Sequence, residues 1–280
     1  MKLIELSRYP ETVTRKRDRA QSQRLATLNT AAPVPVLAVL GEGLTDDGVH
    51  QLVKTATGVR ATKTLTNGLA IVKEFAVTTN YLVAATVRLE NRSAAPLHLP
   101  AQEYVVGTAT PMGADDDGHL VGLLWYNGAK TESITEGWFA NRTLGCFPGT
   151  PRQVYSAGQS NIVWAAAHNQ FFALVAMPDA PAQQVVARQI ELPRPGDADP
   201  RYQSKPPPKG FLTTLVYPET TLAPGQSLER RIHLFGGPRE YRTLAKLAMR
   251  FDNNADQVMS FGWAGFVAKP LLLAMNWIHD

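Results

Sequence analysis

The chain has 280 residues, 44% of them hydrophobic and 19% charged, with a net charge of +4, a balance that excludes an intrinsically disordered chain. The basic residues Arg15, Lys16, Arg17 and Arg19, and the looser group Arg201, Lys205 and Lys209, carry no recurring aromatic platform and are countered by Asp115, Asp116 and Asp117, so they read as solvated loops and not as a nucleic-acid surface. The single cysteine, Cys146, excludes an intrachain disulfide and a cysteine-based zinc site and reads as a buried structural thiol.

In the N-terminal run Met1–Arg17, Lys2, Glu5, Ser7 and Arg8 interrupt the apolar core that a secretory signal requires. No stretch reaches the roughly 18–20 apolar residues needed to span a bilayer. The most apolar region, Phe261 to Ile278, is broken by Lys269, Pro270 and Asn276. The chain as given reads as soluble.

The first three-quarters read as strands. Lys2–Leu6 and Val34–Leu40 come first. Leu69–Val77 and Tyr81–Leu89 follow, joined by a turn at Thr78-Thr79-Asn80. In the second of these, Tyr81, Val83, Ala85, Val87 and Leu89 alternate with more polar partners. That period of two puts one set on a core face and predicts a long antiparallel hairpin. Further strands are predicted at Leu97–Thr108, Leu120–Trp125, Ser133–Ala140, Ile162–Met177, Gln183–Leu192, Phe211–Tyr217 and Ser227–Phe235. The region Ile162–Met177 is apolar on both faces, which places it in the middle of a sandwich. Gly113–Gly118 and Pro193–Gly210 are turn-rich, the second carrying Pro206-Pro207-Pro208 as an extended loop.

The pattern changes after Phe235. Gly236-Gly237-Pro238 ends the sheet, with Pro238 suited to the first position of a helix. Tyr241, Leu244, Leu247, Ala248 and Phe251 keep a three-to-four-residue spacing, which predicts an amphipathic helix ending near Asn253-Asn254. A second helical stretch is predicted over Asp256–Ala268, broken by Pro270, and a last short one over Pro270–Ile278. The chain therefore divides into a β body, residues 1–235, and a helical segment, residues 236–280. The fold class is all-β with C-terminal helices.

One string of residues is specific. It runs Gly237-Pro238-Arg239-Glu240-Tyr241, Asp256, Phe261-Gly262-Trp263, Phe266-Val267-Ala268-Lys269-Pro270-Leu271 and Asn276-Trp277-Ile278-His279. In this order it resembles the junction that closes the large extracytoplasmic domain of the YidC family of membrane protein insertases. Trp164 with Gln170-Phe171-Phe172-Ala173 and Met177-Pro178 resembles an internal strand of that family. Ile4-Glu5-Leu6 with Tyr9-Pro10 resembles an early one, while Ala101 to Arg152 matches only loosely. Gly237, Pro238, Tyr241, Gly262 and Pro270 are the structural residues of the shared motif. Family members begin with a transmembrane helix, a linker and one or two strands ahead of the segment matching Met1, and continue into several transmembrane helices. On that resemblance the chain is either a piece cut from a longer protein or a truncated reading frame, and its sheet lacks an early strand, leaving an edge exposed.

The resemblance implies an antiparallel supersandwich of two large sheets, on the periplasmic side of the bacterial inner membrane, followed by two or three short helices. It implies a non-enzymatic role without cofactors or metals in inserting and folding inner-membrane proteins, with or without the Sec translocon. Its implied partners are SecD or SecF, nascent membrane proteins and the membrane surface. Trp263 and Trp277 suit the headgroup layer. Phe266, Val267, Leu271, Leu272, Met275 and Ile278 supply apolar area, and Lys269 can reach the phosphates. The other reading of this stripe is a helix face packed on the sandwich.

The rival function is a carbohydrate-binding or aldose-epimerase-like protein, since that supersandwich is shared with such enzymes. It needs a histidine converging with a carboxylate, for which His98 with Glu103 and His168 with Glu191 are the candidates. Neither pair sits in a motif, and His98, His168 and His233 lack the spacing of a metal site. Asp115–Asp117 with Gly118 lacks the alternating ligands of a calcium loop.

Overall fold

The computed structural model describes residues 32–78, 81–112, 116, 118–142, 149–193 and 206–259. The chain divides into two compact units, Met1–Pro238 and Arg239–Asp280. The larger unit holds all the described strands. In chain order they are β1 (Val39–Gly41), β2 (Leu44–Thr45), β3 (Gln51–Lys54), β4 (Gly58–Thr64), β5 (Leu69–Val77), β6 (Leu82–Asn91), β7 (Leu97–Leu99) and β8 (Gln102–Ala109). After these come β9 (Gly122–Tyr126), β10 (Thr131–Thr135), a one-turn helix α1 (Glu136–Ala140), β11 (Val154–Ala157), β12 (Trp164–His168) and β13 (Phe172–Pro178). The last are β14 (Gln184–Glu191), β15 (Lys209–Tyr217), β16 (Thr220–Leu222) and β17 (Ser227–Pro238).

These strands form a six-stranded sheet, β11-β14-β15-β8-β1-β2, a nine-stranded sheet, β10-β9-β12-β13-β17-β6-β5-β4-β3, and a small ribbon, β16-β7. All described pairings of named strands are antiparallel. The two large sheets enclose one apolar core. Tyr104, Val106, Phe211 and Leu215 come from the six-stranded side, and Ile71, Val87, Leu123, Ala165 and Leu234 from the nine-stranded side. This is the two-sheet antiparallel sandwich that the family resemblance implies.

The predicted hairpin is present: β5 pairs with β6 from Leu69↔Asn91 to Val77↔Val83. Its turn is closed by Thr78, whose N–H and hydroxyl both donate to Leu82 O, at 2.9 and 2.8 Å. Alternation along β6 buries Val83, Ala85, Val87 and Leu89, as expected from the period of two.

Several expectations are corrected. Ile162–Met177 is two strands, β12 and β13, paired with each other. The break is made by Asn169, whose Oδ1 accepts from the N–H groups of Phe171 and Phe172 at 2.9 and 2.8 Å, a side chain mimicking a turn. Leu97–Thr108 is split at Pro100-Ala101 into β7 and β8, which lie in different sheets, since proline has no N–H for a continuous ladder. Ser133–Ala140 is strand only to Thr135 and then turns into α1, whose Phe139 is fully buried. Val34–Leu40 becomes strand only at Val39, because Leu37 adopts a left-handed backbone with φ 58°. The pairs β3–β4 and β16–β7, and strand β11, are additional elements. The predicted strand Lys2–Leu6 and the thiol of Cys146 lie outside the described residues.

One buried charge cluster joins the sheets. The Asp46 carboxylate follows β2 and is fully enclosed. It accepts from Lys73 Nζ on β5, from Val39 N–H on β1 at 3.3 Å and from Gly48 N–H at 3.0 Å. His50 Nε2 lies 3.4 Å away. A buried carboxylate is tolerable only with such partners. Burial pulls the Lys73 ammonium below the ordinary lysine range, opposed by the Asp46 charge.

In the smaller unit, α2 (Tyr241–Phe251) carries the predicted amphipathic pattern and buries Leu244 and Leu247. A 3₁₀ turn follows at Ala255–Val258 and buries both of its end residues. Within this unit Arg239 donates to Val258 O at 2.8 Å. Pro238 is not the first helical residue. It closes β17 opposite Phe172, and Glu240 caps α2 in extended conformation. No described helix is long and apolar enough to cross a membrane.

Candidate functional site: a cleft on the outer face of the six-stranded sheet

The outer face of the six-stranded sheet carries a second, smaller apolar cluster. Ala38, Val105 and Leu212 are buried there, with Val34, Leu40 and Ile190 packed against them. Beside this cluster lies a shallow cleft of about 400 Å³, lined by Leu40, Gly41, Glu42, Pro100, Ala101, Glu103, Arg188 and Leu212. The end of β1 and the Pro100-Ala101 link form one wall, and β8, β15 and β14 form the floor.

Glu103 on β8 and Arg188 on β14 meet across the intervening strand β15. The guanidinium donates through Nη1 to Oε2 at 2.5 Å and through Nη2 to Oε1 at 2.7 Å, a planar fork matched to a carboxylate. Thr214 on β15 adds a hydroxyl bond to Glu103 Oε2 at 2.8 Å. The carboxylate holds the Arg188 charge more firmly than usual.

A bulge sets this geometry. The β15–β8 register shifts between Thr213 and Thr214, so that Thr213 faces Gly107 and Thr214 faces Val105. An extra residue on one strand re-aims the side chains that follow, and Thr214 thereby reaches Glu103. Gly107 at the bulge has room for no side chain, since a Cβ would fall 2.7 Å from Leu174 Cδ1 on β13.

The arrangement is suited to binding and unsuited to proton transfer. The carboxylate on the cleft floor is engaged by a guanidinium and a hydroxyl, whereas a general base needs a carboxylate or imidazole free to take a proton. What the cleft offers a ligand is an apolar wall beside the outer edge of Arg188.

The His–carboxylate pairs imagined for sugar chemistry are not formed as paired. His98 sits on the exposed β16–β7 ribbon with Nε2 3.9 Å from Glu219 Oε2, and Glu103 belongs to Arg188. His168 is on β12 of the nine-stranded sheet, with Nδ1 3.3 Å from Asn169 O, whereas Glu191 ends β14 of the other sheet opposite Lys209. His233 Nε2 lies 3.4 Å from Asp179 Oδ1. Among the described residues no group of three or more histidine, cysteine, aspartate or glutamate side chains could hold a metal ion. Asp116 forms a turn, accepting from Met112 and Gly118 N–H at 2.9 Å each. Asp115 and Asp117 lie outside the described residues.

Of the family-motif residues, Gly237 and Pro238 close β17 and Tyr241 opens α2. Gly237 is needed for close approach. A Cβ there would sit 2.7 Å from the Phe235 ring and 3.0 Å from Tyr81 Cβ, and those two rings meet edge to face at 6.4 Å. Gly262, Trp263, Phe266, Lys269, Pro270, Leu271, Leu272, Met275, Trp277 and Ile278 lie outside the described residues. Sequence reasoning did not single out Arg188, Thr214, Asp46 or Lys73. Only Lys73 carried a local signal, as a lone charge ending the apolar run Leu69–Val72.

Comparison with known proteins covers most of the chain. The family model for the YidC periplasmic domain matches residues 45–274. The membrane protein insertase YidC of Paraburkholderia phymatum is 27% identical over 214 residues, which is 76% of this chain and 34% of that protein. That of Hahella chejuensis is 39% identical over 70 residues, 25% of this chain and 12% of the relative. The chain thus spans about a third of the length of the first of these relatives. Among solved structures, a galactose mutarotase related enzyme from Lactobacillus acidophilus aligns over 70% of this chain and 74% of its own, with a TM-score of 0.47 and 7% identity.

Proposed function

The chain belongs to the YidC periplasmic-domain family, and from that premise we propose that it is the extracytoplasmic part of a membrane protein insertase. Its role is to assist the insertion and folding of inner-membrane proteins without catalysing a covalent reaction. The family match across residues 45–274 carries this reading. Insertion breaks no bond: a nascent helix gains its free energy by leaving water for hydrocarbon. A domain that serves this process needs shape and attachment surfaces. The saturated Glu103–Arg188 pair on the cleft floor accords with such a role.

In this proposal the segment from Trp263 to Ile278 lies at the periplasmic surface of the membrane. Trp263 and Trp277 sit among the headgroups, Phe266, Leu271, Leu272, Met275 and Ile278 face the acyl boundary, and Lys269 reaches lipid phosphates. The protein partners are nascent membrane proteins and the Sec accessory proteins SecD or SecF. Photocrosslinking tests the reading: probes on the outer sheet faces, in inner-membrane vesicles translating a single-span protein, should label the nascent chain and SecD or SecF. Labelling of neither would refute the insertase role.

A further inference from the structure

The exposed residues of α2 are Arg242, Lys246, Met249 and Arg250, and together they form one face. Lys246 lies about 40° and Arg250 about 80° round the helix axis from Arg242, with Met249 about 20° to the other side. The exposed arc is thus about 100° wide and carries three cations and one apolar side chain. α2 contains no acidic residue. Glu240, just ahead of it, accepts from the Thr243 hydroxyl at 2.8 Å. The other side of the helix buries Leu244 and Leu247, so the cationic face is the one presented to solvent. Met249 within it is 77% exposed.

Helix stability alone does not account for this face. Arg250 stands in the last turn, where the helix dipole favours a cation, and its guanidinium lies 5.3 Å over the Phe251 ring. Arg242 stands in the first turn, where the dipole favours an acid and disfavours a cation. Arg242 with Lys246, and Lys246 with Arg250, are like charges four residues apart, a spacing that weakens a helix. An anionic partner on this face offsets each of these unfavourable terms.

We infer that this face docks on anionic phospholipid headgroups, with Arg242, Lys246 and Arg250 at the phosphates and Met249 reaching beneath them. Two features select a lipid surface over an acidic polypeptide. An exposed apolar side chain set among cations matches a surface in which hydrocarbon lies under charge. The row from Arg242 to Arg250 runs about 12 Å along the helix axis, so a flat surface meets all three cations together. The inference rests on the proposed insertase role for the presence of a membrane. It adds a docking face on a helix that precedes Trp263–Ile278 in the chain.

Cosedimentation of the full 280-residue chain with vesicles of equal parts phosphatidylglycerol and phosphatidylcholine tests the inference. Lys246→Gln with Arg250→Gln should weaken partitioning about 25-fold, since one basic side chain near an anionic surface contributes about fivefold. Lys54→Gln with Lys209→Gln removes the same charge from exposed positions of the β body and should change partitioning little. Circular dichroism checks that both variants keep their fold. Salt at about 1 M should abolish the difference made by the α2 pair, whereas a loss caused by Trp277→Ser with Leu272→Ser should persist. Absence of vesicle binding by the unaltered chain, undiminished binding by the α2 variant, or equal losses in the two charge-matched variants would each overturn the inference. Binding to polyglutamate in place of vesicles, lost with the same α2 pair, would overturn the lipid assignment in favour of an acidic polypeptide. Any of these failures leaves the crosslinking test of the insertase role standing.

Discussion

Asp46→Ala removes the carboxylate that ties β1, β5 and the 46–50 loop together. The side chain is fully enclosed, and the change strips a partner from Lys73 Nζ and from the N–H groups of Val39 and Gly48. Breaking a buried ion pair by removing one member costs about 3–5 kcal/mol. Each orphaned N–H alone would cost about 1–3 kcal/mol. The losses are not additive, because Lys73 can shed its proton: burial already draws it below the ordinary lysine range. We therefore expect a loss of about 3–4 kcal/mol, which for a unit of this size lowers Tm by roughly 10 °C. Urea unfolding followed by the fluorescence of Trp125, Trp138 and Trp164 measures it. Lys73→Met should also destabilise, whereas Asp46→Asn combined with Lys73→Met should lose clearly less than the sum of the two single changes, with coupling of about 1–3 kcal/mol. A loss below about 1 kcal/mol for Asp46→Ala, or strict additivity in the cycle, would refute the idea that this cluster clamps the sheets.

Four further outcomes follow from the same reasoning. Tyr217 is buried, its hydroxyl donates to Ala180 O at 3.1 Å, and desolvation pushes its pKa up to about 12. The folded state keeps a proton that the unfolded state releases near pH 10, so stability is whole below pH 10 and falls as pH rises towards 12. The loss is roughly 2–3 kcal/mol, and Tyr217→Phe should flatten that limb in denaturation curves taken at pH 9 to 12. Gly237→Ala should cost about 1–3 kcal/mol by driving a methyl into the Phe235 ring, and Phe235→Leu in the same chain should recover part of the loss in thermal melts. Arg188→Lys replaces a fork by a point charge in a half-exposed pair and should cost only about 1 kcal/mol, while calorimetry with simple sugars should show no heat either before or after the change. Trp277→Ser with Leu272→Ser should weaken cosedimentation with anionic vesicles, and unchanged binding would remove the interfacial role of that segment.

Much of the β body was legible because its physics is local. The β5–β6 hairpin was readable because alternate residues of one short stretch face one core. The start of α2 was readable because Tyr241, Leu244 and Leu247 begin a new period, whereas Gly236-Gly237-Pro238, read as the end of the sheet, carries β17 on to Pro238 because these residues stay paired with β13. Where hydropathy carried no contrast, the reading failed. β12 and β13 are both buried in the middle of a sheet, so their apolar run shows no seam, and only the Asn169 side chain makes the turn. α1 was missed for a related reason: Phe139 satisfies either a strand or a helical turn.

The cleft lay beyond sequence reasoning. Glu103 and Arg188 are separated by 85 positions and Asp46 and Lys73 by 27, and each is an ordinary charge in its own neighbourhood. The amino-acid order by itself determined that this is a strand-rich body ending in an amphipathic helix, because periodicity and turn chemistry act within a few residues. The tertiary structure decided which charges meet, where the bulge at Gly107 aims Thr214, and which strand is left at the rim. Those outcomes depend on strand order and register, which are set by packing between segments far apart in the chain.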